Sequence, residues 1–307
     1  MSNYNWSIDD IKNKIKLIEE FEDKEKYRTD IITLNSMLNK TIEKRNITSS
    51  IEHELENDYE LFQEWAKSFK QSVEKYNNNT EIPQFGFKYL SDDDCLSLIN
   101  DFFKTRHPYV YQVFQNEFDK KDFNLRMKEG LFYSSAVTYH LKCFNQSYID
   151  ITRSNSIFDL VNLAHEYGHA IGFNINPDIV NNDYFLIIDD LDGVYFQQEF
   201  INWLIENDIY ADEAVLAKLF INQEMYCKAH YTNYMYNLQK IEYLISYLTS
   251  IELGYHPKKD ELLVRILTHK PNSIDNMLSV LNDFIILNNS ADTYQKTLKK
   301  EAQKYFS

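Results

Sequence analysis

The chain has 307 residues, 44% hydrophobic and 15% aromatic, enough apolar material for a large core, which excludes a disordered chain. A formal net charge of −15, with no segregated Lys and Arg, argues against nucleic acid as a partner and suits neutral or basic peptides. No apolar run approaches the roughly 18 residues of a membrane span, Met1 to Trp6 lacks a secretion signal, and Cys95, Cys143 and Cys227 have neither metal nor redox spacing, so the expected location is the reducing cytoplasm.

From Ile8 to about Tyr76 the sequence is rich in Glu, Lys, Ile and Leu and free of Gly and Pro, which predicts two or three long helices broken near Asn46-Ile47-Thr48-Ser49. Asn77 through Pro83 and Gly86 is the clearest break in composition, so a helical scaffold or lid is expected over 1–85 and a catalytic domain over 86–307. A further helical stretch runs from Asp92 to about Phe118. Between Gly130 and Ile151, Leu131-Phe132-Tyr133, Ala136 to Tyr139 and Tyr148 to Ile151 read as two or three short strands.

Ser156 to Gly172 reads as one amphipathic helix: Ser156 as N-cap with Asp159 three residues on, a buried stripe through Ile157, Leu160, Val161, Ala164, Tyr167, Ala170 and Ile171, then Gly172 and Pro177 as a stop. Inside it stands His165-Glu166-Tyr167-Gly168-His169, the H-E-x-x-H pattern of zinc hydrolases. Residues four apart share a helix face, so both imidazoles can meet one metal while Glu166 reaches a water at the open position. His53, His107 and His140 lack metal-type spacing and read as structural or surface residues.

Catalytic zinc takes three protein ligands and a water, and no third His follows closely, so the last ligand must come from a later helix. Asp189, Asp190, Asp192 and Glu199 are the candidates; Asp192 and Glu199, seven apart, share a helix face, so one can bind and the other orient a ligand. From Gly193 to Gly254 there is neither Gly nor Pro, and apolar residues recur at helical spacing. The predicted fold is mainly α, with a small sheet beside the H-E-x-x-H helix.

Over roughly Asp94 to Leu253 the chain resembles the thimet oligopeptidase and oligoendopeptidase F family of zinc metallopeptidases. Arg126-Met127-Lys128-Glu129-Gly130 is similar to the family's basic-Gly motif, and Asp159 to Ala170 to its active helix. The resemblance implies a zincin-type core holding one Zn2+ and assigns the third ligand to Asp192, with Glu199 next and Asp189 or Asp190 behind. This departs from the family, which has Glu there; Asp is one methylene shorter, so the backbone must approach the metal more closely. His230 to Tyr236 is similar to a late segment that stabilises the reacting carbonyl, which implies such roles for Tyr236, His230 and Tyr234.

The expected activity is hydrolysis of internal bonds in short unfolded peptides, with Glu166 as general base. A dedicated precursor or leader-peptide peptidase and a non-catalytic peptide-binding protein are the alternatives.

Overall fold

A stretch free of Gly and Pro can propagate helix, and the N-terminal part does so in three α-helices among the described residues. The computed structural model describes residues 6–39, 49–76, 90–127, 135–179, 188–231, 238–284 and 290–306. Helix α1 (Ile8–Glu19) starts at Ser7, whose side chain accepts from Asp10 N in a capping box, and α2 (Arg28–Asn39) follows. Helix α3 (Ser49–Tyr76) begins at the expected break. The first two form a small cluster of Ile11, Ile18 and Leu34 with Leu141, whereas α3 sends Ala66, Phe69 and Val73 into the main core.

The stretch from Asp92 to Phe118 is two helices, α4 (Asp92–Arg106) and α5 (Tyr111–Lys120), rather than one. Pro108 explains the break: it disfavours helical backbone at His107, which sits at φ −126° and ψ 56°, and brings no N–H of its own.

The sheet consists of β1 (Phe123–Met127), β2 (Ser135–Leu141) and β3 (Gln146–Arg153) in the order β1-β3-β2, with β3 antiparallel to β2 and parallel to β1. The strands expected at 136–139 and 148–151 are β2 and β3. Strand β1 was not expected, because its five residues alternate too briefly to register, and Leu131 to Tyr133 lie outside the described residues.

Helix α6 (Ile157–Ile175) carries the two histidines. Ser156 caps it, accepting from Phe158 N at 3.3 Å, but Asp159 does not complete a capping box. Its carboxylate instead takes the N–H groups of Ser154 (2.8 Å) and Asn155 (3.0 Å) and pairs with buried Arg153, which also binds Asp92. The helix passes through Gly172 rather than stopping there, because that glycine is a contact point for the next helix. Around α6 stand α7 (Leu191–Glu206), α8 (Ala211–Tyr231), α9 (Leu238–Gly254), α10 (Lys259–Thr268), α11 (Ile274–Phe284) and α12 (Ser290–Phe306). The fold is thus mostly helical with one small sheet, as the sequence predicts. Among the described residues no helix is long and apolar enough to cross a membrane.

Two of the remaining histidines are structural. His107, fully buried, shares the carboxylate of Asp260 with Tyr195 at 2.8 and 2.7 Å. His140 on β2 is buried against Phe173 of α6, ring centroids 4.8 Å apart. Burial pushes the His140 pKa down to about 4 from 6.5, so the unfolded chain takes up a proton below pH 6.5 that the folded chain refuses until about pH 4. Stability is therefore lost as pH falls through that window, by roughly 2 kcal/mol at about pH 4.5. Urea unfolding at pH 7 and pH 4.5 should show the wild type losing about that much more than His140→Phe, which keeps the ring stack; equal losses would mean that His140 titrates freely.

Candidate metal centre

The two histidines of α6 lie one helical turn apart, and their Nε2 atoms are 3.1 Å from each other. Oδ1 of Asp190, in the turn that opens α7, is 3.2 Å from each of them. Among the described residues these three form the one group of at least three His, Cys, Asp or Glu side chains arranged to hold an ion. Three atoms 3.1–3.2 Å apart can all lie about 2.0–2.1 Å from a single centre, the bond length of zinc to imidazole and carboxylate. Two nitrogens and one oxygen with a fourth position left over are also the donor set of a hydrolytic zinc site. The residues present fit the metal.

The geometry gives Asp192 a different part from the one expected. Its Oδ1 accepts from Nδ1 of His169 at 2.7 Å and from its own helix at Gly193 N at 2.8 Å. A carboxylate on Nδ1 fixes the tautomer and turns the Nε2 lone pair to the metal position, the usual outer partner of a ligating histidine. Asp190, not Asp192, joins the two Nε2 atoms. Glu199 is elsewhere: buried, it accepts from Arg106 at 3.1 Å and from Lys259, so its charge is already paired. Asp189 is exposed in the turn before α7.

The charges support one another. Burial acts to raise the Asp190 pKa, but His165 and His169 outweigh it and hold the carboxylate well below its usual range. Burial acts to lower that of His169, but Asp192 and Asp190 outweigh it and hold it well above the ordinary value. A cluster that draws a proton this strongly is one in which a divalent cation can take the proton's place.

Glycine makes the approach possible. A Cβ on Gly193 would lie 2.7 Å from His165 Nε2 and 2.9 Å from His169 Cε1. On the facing helix, a Cβ on Gly168 would meet the Asp192 carbonyl oxygen at 2.6 Å, and one on Gly172 would overlap the Asp192 carboxylate. Backbone closeness at α7 thus suits the short arm of Asp190, whereas the sequence reading laid that condition on Asp192.

Glu166 is 5% exposed, and its carboxylate accepts from Thr138 of β2 at 2.6 Å. Tyr243 of α9 was not a candidate from sequence; burial, and after it the charges of Asp190 and Glu224, push its pKa well up, so its phenol keeps its proton. Lys228 lies 3.9 Å from the centre of its ring. His230 is exposed in the last turn of α8 with its ring 6.4 Å from that of Tyr226, while Tyr234 and Tyr236 lie outside the described residues.

The fold as a whole, mostly helical with a small three-stranded sheet, is consistent with an oligoendopeptidase-like fold. Two crystal structures resemble it: one described as a "putative peptidase from Chlamydophila abortus" and one as a "putative oligoendopeptidase F from Bacillus anthracis str. Ames". Each matches with a TM-score of 0.52 and 11% identity over 97% of this chain. The match covers 61% of the first and 62% of the second, so the chain spans about three fifths of their length. No family model and no curated protein matches the sequence.

Proposed function

We propose that the protein is a zinc-dependent metalloendopeptidase that hydrolyses internal bonds of short, unfolded peptides. The observation that carries this reading is the convergence of His165, His169 and Asp190 within 3.2 Å of one another, with Glu166 next to the first of them in sequence. The peptidase descriptions of the two structural neighbours favour the same class.

Zinc held by these three residues would supply the Lewis acidity that activates a water and polarises a carbonyl. Asp192 keeps the proton of His169 on Nδ1 and the ring in place. Glu166 removes the water's proton and delivers it to the leaving amine, so one carboxylate serves as base and then as acid. Strand β2, at one edge of the sheet, offers main-chain groups on which an extended peptide can align beside Glu166.

Wild type and Glu166→Gln should be compared on a mixed library of unstructured peptides of about ten residues, with products read by mass spectrometry and zinc quantified in both proteins. Glu166→Gln is expected to lower kcat on the order of 10³-fold at unchanged zinc content. If both proteins hold zinc and neither cuts, the substrate is a dedicated precursor. Absence of metal from both would instead leave a peptide-binding protein.

A further inference from the structure

A general base works only if its carboxylate faces the reacting water, and a buried Glu has three side-chain torsions to fix. In Glu166 the fixing contact comes from outside the helix. Thr138 Oγ1 lies 2.6 Å from Oε2 and 3.0 Å from the carbonyl oxygen of the same glutamate. Two residues along the strand, on the same face, His140 stacks on Phe173 at 4.8 Å, and Phe173 on His169 at 6.3 Å. Strand β2 thus touches both the base and, through one ring, a ligand.

We infer that Thr138 is the positioning residue for Glu166, acting through its hydroxyl; this rests on the reading of Glu166 as the base. A threonine hydroxyl donates one hydrogen bond and accepts others. Toward the carboxylate it donates to Oε2. Once Glu166 has taken the proton of the water on Oε1, Oε2 becomes the carboxyl's C=O oxygen and still accepts from Thr138. Oε2 thus keeps its donor in both states, so the carboxyl keeps one orientation through the whole cycle. Because Thr138 sits in the edge strand, the segment that would align a peptide also aims the base.

Thr138→Val keeps the shape and removes the hydroxyl, while Thr138→Ser restores it. On the zinc-loaded proteins, calorimetry should compare two ligands: acetohydroxamic acid, which chelates the metal and hands its proton to a nearby carboxylate, and azide, which needs the metal alone. Thr138→Val and Glu166→Gln are each expected to weaken the hydroxamate about tenfold or more, with azide affinity and zinc content unchanged. On peptides, Thr138→Val should lower kcat about tenfold at constant KM, and Thr138→Ser should return both readings to within about threefold of wild type. If Thr138→Val binds hydroxamate like wild type while Glu166→Gln does not, the assignment to Thr138 is wrong and the base reading stands. If Thr138→Val loses zinc and both ligands together, its role is structural support and the inference fails. A wild type that holds no zinc and binds neither ligand removes the metal centre, and this inference with it.

Discussion

Asp190→Ala is expected to weaken zinc binding on the order of 10³-fold and to abolish peptide cleavage with it, since one of three protein ligands carries about a third of the roughly 10–16 kcal/mol of zinc affinity. Asp192→Ala removes an outer partner only, and should cost about 10–100-fold in affinity. The contrast is the informative quantity, because the two residues are neighbours on one helix end and differ in what they face. Asp190 Oδ1 lies 3.2 Å from both Nε2 atoms, whereas Asp192 Oδ1 is 2.7 Å from Nδ1 of His169, on the far side of that ring. Competition with a chromophoric chelator gives both constants. If Asp192→Ala proves the more damaging, the two carboxylates exchange parts.

Gly193→Ala adds one methyl group and should be nearly as severe. The new Cβ would stand 2.7 Å from His165 Nε2 and 2.8 Å from its Cε1, distances at which something must shift. The ring of His169 closes the other direction at 2.9 Å. Neither imidazole can withdraw without leaving the metal position, so the strain falls on the site: a loss of zinc affinity on the order of 10³-fold, with about 1–3 kcal/mol of stability lost from overpacking. Gly254→Ala is the internal comparison. Its Cβ would approach Glu199 Oε1 at 3.3 Å, a tight contact away from the two imidazoles, and zinc binding should not change. Equal behaviour of the two variants in metal titration and urea unfolding would show that the closeness at Gly193 is not what builds the site.

The part of the centre written in consecutive residues was legible. Helical periodicity puts His165, Glu166 and His169 on one helix with the two imidazoles together, as α6 has them, because an α-helix fixes the relation of every residue to its neighbours. The same logic paired Asp192 with Glu199, and there it reached its limit. Both are buried on α7, but Asp192 turns to His169 and Glu199 to Arg106 and Lys259. The carboxylate that meets both imidazoles is that of the residue before the helix, Asp190 at φ −101° and ψ 4°, where no helical period governs direction. Thr138 is in the same position: alternation along β2 tells which residues share its face, but only the packing of α6 says what that face meets. The helices themselves read well wherever the chain lacks Gly and Pro, and the one misjudged boundary near the site, Gly172, is a glycine kept for contact rather than for a turn.

The close seating of α7 on α6 also limits how this site can change. Asp190 reaches the imidazoles because Gly193 lets its helix come near; a Glu at 190 would have an arm too long for that approach, and a side chain at 193 would need the longer arm. The two positions therefore form one unit of variation. Either substitution alone breaks the meeting of the carboxylate with the two imidazoles, and only the paired exchange, with the helix moved outward to match, restores it.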